Sequence, residues 1–121
     1  MHTVGVDIIE ISRIHAAIDR WGERFLNRIY TERELKLCHR KPGPLASRFA
    51  GKEAVMKSLG TGWRRVRWRD IEITGGGKPT VRMTGTAAKR ASLLGVTEVL
   101  VTITHTNTSA LVMAVAVSEQ D

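Results

Sequence analysis

The stretch Ala110–Val117, with the sequence ALVMAVAV, constrains the fold more strongly than any other part of the chain. It has the length of a single β-strand, and both of the faces that a strand presents are apolar. A strand of this kind must be covered on two sides, either within a sheet that is buried on both faces or at a contact between subunits. The sequence therefore favours an oligomer.

Further elements are predicted from apolar periodicity and from capping and turn signals. Ser12 should cap a first helix, the sequence TERE at Thr31–Glu34 is a capping box that opens a second, and Pro42-Gly43-Pro44 precedes a central helix. A strand is predicted at Thr3–Ile11, and the central helix should run from about Leu45 to Gly60. A hairpin follows, with strands Val66–Ile73 and Thr80–Met83 and a turn at Gly75–Gly77. The last predicted elements are a helix at Thr86–Leu94, ended by Gly95, and strands at Glu98–Thr106 and Ser109–Val117.

The first predicted strand carries an acidic residue in an apolar row. Alternation places Asp7 on the same side as Gly5, Ile9 and Ile11. A carboxylate in such a row is costly unless it is paired, protonated or bound to a metal ion. A solvated aspartate near the end of a strand is the alternative interpretation.

The central helix carries an acid and a cation on one ridge. Phe49, Glu53 and Lys57 follow one another at a spacing of four residues, so they share a face. Glutamate four residues before lysine is also a common helical salt bridge, which contributes only about 0.2–0.5 kcal/mol when it is solvated. The glycine-rich end of the helix, at Gly60–Gly62, leaves backbone groups open to an anion. Together these features indicate a site for a metal ion and a phosphate.

The chain is strongly basic. Nineteen Lys and Arg residues against twelve Asp and Glu give a net charge of +7 in 121 residues, the size of one domain. Such a charge favours an anionic partner. Arginines line one flank of the first helix beside an aromatic residue, which favours an acidic protein over DNA as the partner of this face: Arg13, Arg20, Arg24, Phe25 and Arg28.

The run WRRVRWRD at Trp63–Asp70 is the strongest nucleic-acid signal in the chain, but its alternation also fits an exposed strand in which cations and tryptophans cover one another. We favour the strand. The following GGGK sequence at Gly75–Lys78 lacks the spacing of a P-loop.

Other single residues are less informative. The lone Cys38 cannot form an internal disulfide and is best explained as a small buried residue. His105 ends an apolar row, which is most often a packed position. The first apolar run is interrupted by Asp7 and Glu10, and no apolar run approaches the ~20 residues that span a bilayer. We expect a cytoplasmic protein with no membrane partner.

Four separate pieces of the chain are similar to one known family. They are GVDIIEI at Gly5–Ile11, RFAGKEAVMKSLGTG at Arg48–Gly62, GGGKP at Gly75–Pro79 and ITHT at Ile103–Thr106. Their order and spacing resemble bacterial holo-acyl-carrier-protein synthases, which are 4′-phosphopantetheinyl transferases. The chain departs from this pattern at Gly51, where relatives often carry alanine, and in the Trp63–Trp68 segment, which matches no function of the family.

The resemblance implies a reaction and roles for its residues. The serine hydroxyl of the carrier protein of fatty-acid synthesis would attack the β-phosphate of coenzyme A and release adenosine 3′,5′-bisphosphate. Asp7 and Glu53 match the ligands of a magnesium ion, for which manganese could substitute, and Lys57 matches a residue that holds the pyrophosphate. Glu53 acting through a water molecule is the first choice of general base, and His105 is the second.

The resemblance also implies binding surfaces and an architecture. The expected fold is α+β, with antiparallel strands packed on one face by the long central helix, and three copies form a trimer with sites between subunits. The arginine-rich first helix would dock the acidic apo acyl carrier protein. Positions matching contacts to coenzyme A are Arg48, Lys52, Lys57, Ser58, Gly60, Gly62, Pro79, His105 and Thr106.

Two other classes of function compete with this interpretation. A nucleic-acid-binding module would use Trp63–Trp68 and the arginine helix and would need no Asp7. A non-catalytic adaptor for an acidic protein would use the arginine face and would need neither Glu53 nor Lys57.

Overall fold

The computed structural model describes residues 2–75 and 78–118. Five strands, five helices and one 3₁₀ turn follow one another in the described residues: β1 (His2–Glu10), α1 (Ile11–Trp21), α2 (Glu23–Ile29), α3 (Glu32–Cys38), α4 (Pro42–Ser58), a 3₁₀ turn (Trp68–Asp70), β2 (Ile71–Thr74), β3 (Thr80–Met83), α5 (Gly85–Leu94), β4 (Val96–His105) and β5 (Ser109–Ser118). The predicted α+β class is confirmed. No helix in this part of the chain is long and apolar enough to cross a membrane.

The larger sheet is antiparallel, with strand order β1-β5-β4, so the apolar β5 lies in its centre as its sequence requires. One face of β5 is fully covered, because Ala110, Val112 and Ala114 are buried beneath α4. The opposite face exposes Leu111 and Met113 to 38% and 40%. β2 and β3 form a separate hairpin.

The central helix α4 lies directly on β1. A Cβ atom at Gly5 would stand 2.0 Å from the carbonyl oxygen of Ala54 and 2.9 Å from Cβ of Lys57. Only glycine permits this approach of strand and helix. Asp7, two residues further along the same face of β1, is thereby brought over the last turns of α4.

The bounds of the first two elements differ from the prediction. The first strand ends at Glu10, and α1 begins at Ile11 with Glu10 as its N-cap, so Ser12 is not the cap. The cap makes no side-chain hydrogen bond; instead the backbone N–H of Ile11 donates to Thr108 in the turn between β4 and β5. The helix does not continue past Gly22, whose φ of 56° places Arg28 on a separate helix.

The central helix begins earlier than expected, at Pro42 and not at Leu45. Proline is compatible with a first helical turn, whose N–H groups have no partner within the helix. The capping box is confirmed, since Thr31 and Glu34 exchange both of its hydrogen bonds. The end near Gly60 is also confirmed, and Arg90 donates to the carbonyl groups of Leu59 and Gly60 there.

The strand predicted at Val66–Ile73 is wrong over its first half. Turns and the 3₁₀ turn occupy this region, and the strand begins only at Ile71. Asp70 fixes the irregular path, because its carboxylate accepts hydrogen bonds from both the backbone and the hydroxyl of Thr86. The hairpin of β2 with β3 is confirmed, while Gly76 and Gly77 of its predicted turn lie outside the described residues.

Candidate active site

Two carboxylates that are far apart in the sequence meet where β1 crosses α4. Burial raises the pKa of Glu53 to about 7, and the neighbouring charge of Asp7 and a hydrogen bond with it act in the same direction. The positive charges of Lys57 and Arg13 oppose this rise. Asp7 and Glu53 therefore form an acidic pair in a partly desolvated place.

Lys57 completes this cluster, but its partner is not the one that helical spacing suggests. Its Nζ donates to Oδ1 of Asp7 at 3.0 Å and to the carbonyl oxygen of Val6 at 3.1 Å. The lysine side chain remains 52% exposed, whereas that of Asp7 is 15% exposed. The ammonium group thus reaches the site and still faces solvent, where an anion could meet it.

The acidic pair fits a hard divalent cation. Two carboxylates held together in a partly buried site repel one another, and a cation between them would relieve both the repulsion and the cost of burial. No group of three or more His, Cys, Asp or Glu residues that could hold a metal occurs within residues 2–75 and 78–118. Two carboxylates suit magnesium, which usually keeps several water ligands and takes others from phosphate.

A second part of the predicted site lies elsewhere on the chain. Arg48, Pro79 and His105 line a hollow of about 390 Å³. Arg48 is held there by hydrogen bonds of 3.3 Å to the carbonyl groups of Ile73 and Gly75. Strand β5 lies between β4, which carries His105, and β1, which carries Asp7. The two outer strands are therefore separated by two strand spacings of about 4.8 Å each. One chain therefore carries two separate parts of the predicted site.

Comparison with known proteins identifies the family. The family model described as the 4′-phosphopantetheinyl transferase superfamily matches residues 3–116. The chain belongs to this superfamily. It is 46% identical to the holo-[acyl-carrier-protein] synthase of Solibacter usitatus over an alignment of 121 positions that covers 95% of each chain.

Solved structures of this superfamily have the same fold. The holo-[acyl-carrier-protein] synthase of Neisseria meningitidis matches with a TM-score of 0.87 and 30% identity, over 96% of this chain and 98% of that one. The Helicobacter pylori synthase in complex with coenzyme A matches with a TM-score of 0.85 and 26% identity, over 94% of this chain and 99% of that one.

Two residues predicted to contact coenzyme A are buried in this member of the superfamily. The side chain of Lys52 is 0% exposed, and its Nζ lies 2.7 Å from Oε1 of Glu34 and 2.9 Å from the carbonyl oxygen of Trp68. Ser58 is 2% exposed and donates to the carbonyl group of Val55 at 2.7 Å. Neither side chain is open to solvent in the single chain, and a place for either residue near coenzyme A stays a prediction.

The other predicted contacts lie on exposed turns. Gly60 and Gly62 line a hollow of about 500 Å³ just after α4. The hydroxyl group of Thr106 accepts hydrogen bonds from the backbone N–H groups of Thr108 and Ser109, so it shapes the β4–β5 turn. These positions remain predictions for ligand contact.

The arginines of the predicted docking face are all exposed, namely Arg13, Arg20, Arg24 and Arg28. Phe25 is partly buried, and its ring centroid lies 6.3 Å from that of Phe49. This packing gives Phe49, the first of the three residues at a spacing of four on α4, a structural role. Sequence reasoning missed that Trp21 and Trp63 line one groove with Arg24, Phe25 and Arg28. No periodicity could reveal this, because the two tryptophans come from separate elements.

Proposed function

We propose that this chain is a holo-[acyl-carrier-protein] synthase that transfers 4′-phosphopantetheine from coenzyme A to a serine hydroxyl of an apo acyl carrier protein. The serine oxygen bonds to the β-phosphorus as the bond to the departing adenosine 3′,5′-bisphosphate breaks. The observation that carries this proposal is the meeting of Asp7 and Glu53 beside the half-exposed Lys57.

The side chains divide the chemistry between them. Asp7 and Glu53 would hold a magnesium ion, or manganese in its place, which supplies positive charge that neutralises the pyrophosphate oxygens during displacement. Lys57 binds the phosphate group and stabilises charge on the departing bisphosphate. Glu53, directly or through a water molecule, is the first choice to accept the serine proton, and His105 is the second.

We further propose that the active site forms between subunits of a trimer. The Asp7–Glu53 part of one chain would meet the Arg48–His105 part of its neighbour and enclose coenzyme A between them. One feature that supports assembly is an apolar sheet face, whose members are exposed in the single chain: Val4, Val6, Ile8, Leu100, Leu111 and Met113.

The trimer has a direct test. Sedimentation equilibrium should give three times the chain mass of 13.4 kDa. Changing Val6 to Asp should dissociate the assembly, since a charge would be buried in an apolar contact. A monomeric wild-type protein with full activity would contradict this arrangement.

We place the reaction in the cytoplasm, in keeping with the lone buried Cys38.

The transfer itself is tested by mass spectrometry. We expect an apo acyl carrier protein incubated with the enzyme, coenzyme A and magnesium to gain the mass of one phosphopantetheine. A carrier whose acceptor serine is replaced by alanine is the matched control. Failure to modify several apo carriers under these conditions would refute the proposed function.

Reversing charge on α1 and α2 should weaken carrier binding selectively. The double change Arg20→Glu and Arg24→Glu should raise the KM for apo carrier protein at least about tenfold, because two attractive contacts become repulsive. The KM for coenzyme A should stay within about twofold, since neither arginine contacts the acidic pair or Lys57. Steady-state kinetics with each substrate varied separately distinguish these effects, and an unchanged KM for the carrier would exclude this docking face.

A further inference from the structure

The segment that follows α4 forms one wall of an aromatic groove. This groove, the Trp63 groove, has a volume of about 540 Å³, and its lining residues include Trp21, Arg24, Phe25, Arg28, Phe49 and Trp63. One side belongs to the predicted docking helices. The other side is Trp63, which belongs to the Trp63–Trp68 segment that matches no function of the family.

Trp63 occupies a junction between surfaces. Its side chain is 48% exposed, with the guanidinium carbon of Arg28 at 5.9 Å and that of Arg64 at 5.4 Å from the ring centroid. Besides the Trp63 groove, it lines the hollow at Gly60–Gly62 and a further hollow with Arg67. A molecule docked on the arginine helices would therefore meet Trp63 before it reached the glycine loop at the end of α4.

The charge on this wall is not neutralised by any ion pair among the described residues. Arg64, Arg65, Arg67 and Arg69 are exposed, and none of them takes part in the ion pairs of residues 2–75 and 78–118. The nearby acids of α1 and α2 have other partners, since Asp19 pairs with His15 and Glu23 pairs with Arg40. The apolar groove, lined also by Arg24 and Arg28, thus adjoins a segment whose exposed arginines have no ion-pair partner among the described residues.

We propose that Trp63, with Arg64 and Arg67 beside it, extends the carrier-docking face across the Trp63 groove and sets which carriers are accepted. Trp63 takes an apolar side chain from an acidic carrier, and Arg64 and Arg67 pair with carboxylates beside it. This inference rests on the proposed function and assigns a role to a segment that the docking helices do not include. The partner's chemistry follows from the groove: an acidic surface with a protruding apolar side chain.

The arrangement of the rings favours a protein over a single-stranded nucleic acid. Base recognition by aromatic residues requires free ring faces. Here Phe49 stacks between Trp68 at 4.7 Å and Phe25 at 6.3 Å, and two guanidinium groups lie over Trp63. The groups left for a partner are the apolar edges of these rings and the guanidinium groups. Such groups suit an acidic protein surface.

The test compares three variants with the wild-type enzyme: Trp63→Ala, Trp63→Phe, and the double change Arg64→Gln with Arg67→Gln. The double change Lys36→Gln with Lys89→Gln removes the same charge from exposed positions that line neither the groove nor the two hollows beside Trp63, and it is the matched control. Each protein is assayed for kcat, for the KM of both substrates, and by calorimetry for its Kd with an acidic apo acyl carrier protein. Thermal unfolding of each variant tests whether the half-exposed Trp63 can be changed without loss of the fold.

Trp63→Ala should raise both the KM and the Kd for the carrier about tenfold, with kcat and the KM for coenzyme A within about twofold. Trp63→Phe should recover most of the affinity. The arginine variant should weaken binding at low salt and reduce its salt dependence, while the lysine control should match the wild type.

Several results would overturn the inference. Carrier binding unaffected by Trp63→Ala would remove the groove from recognition, and a raised KM for coenzyme A alone would assign Trp63 to the coenzyme site. Tight binding of a single-stranded oligonucleotide that depends on Trp63, with carrier binding unchanged, would assign the groove to nucleic acid. A wild-type enzyme that modifies no carrier would refute the proposed function, whereas the calorimetric comparison would still test the groove.

Discussion

Replacing Glu53 by glutamine should lower kcat by about a hundredfold to a thousandfold, a loss typical of removing one group that stabilises charge in a transition state. Glutamine keeps the size of the side chain and one acceptor oxygen, but it replaces the other oxygen with an NH2 donor and removes the charge that a divalent cation requires. The concentration of magnesium that gives half-maximal activity should rise as well. Turnover measured over a range of magnesium concentrations gives both quantities.

A matched change and a stability measurement exclude a folding defect. Glu98 is exposed on β4 and lines none of the hollows described above, so Glu98→Gln should keep wild-type kinetics. In a chelating buffer, Glu53→Gln should be at least as stable as the wild type, because the carboxylate of Glu53 is repelled by Asp7 in the folded protein. A variant that retains more than a third of the wild-type kcat would show that Glu53 is not needed for the chemistry.

The sequence predicted the parts of the site that depend on local pattern. Alternation along β1 placed Asp7 on the inward side, and helical spacing placed Glu53 and Lys57 on one side of α4. Pattern alone could not place the two elements against each other. That contact depends on Gly5, whose missing side chain allows β1 to touch the backbone of Ala54. The family resemblance supplied the pairing that periodicity could not.

Two features that local pattern did not predict have a common cause in long-range hydrogen bonds. The Val66–Ile73 segment alternates like a strand, and Val66 and Trp68 are indeed buried, yet Asp70 draws its backbone into a turn by binding Thr86. Lys52 is next to Glu53 in a motif that resembles a coenzyme site, but Glu34 binds it in the interior. Neither partner lies within one helical turn of the residue it redirects, so no local rule identifies it.

The buried pair of Glu34 and Lys52 links three elements that support the site. Glu34 accepts hydrogen bonds from the backbone N–H of Thr31 at 2.9 Å and from that of Ile73 at 2.8 Å, while also meeting Lys52 on α4. It therefore caps α3, holds β2 and neutralises a charge on the central helix. Glu53 is the next residue after Lys52, so this pair anchors the part of α4 that carries the metal ligand.

Changing Glu34 to alanine should lower the free energy of unfolding by about 3–5 kcal/mol, because Lys52 would be left as an unpaired buried charge. Urea unfolding measures this loss. The exposed pair of Glu23 and Arg40 is the control, and Glu23→Ala should cost far less, because solvent screens this pair. A loss for Glu34→Ala as small as that of the control would show that the buried pair is dispensable.

The pH dependence of Glu34→Ala separates a buried charge from a simple cavity. Burial lowers the pKa of Lys52, and Glu34 is the main group that opposes this shift. Without Glu34 the pKa should fall further, so the unfolded chain would bind the proton of Lys52 more tightly than the folded protein. Stability rises with pH wherever the unfolded state binds more protons. The variant should therefore regain stability relative to the wild type as the pH rises toward the ordinary lysine pKa of about 10.4, whereas a cavity alone would give a loss that does not depend on pH.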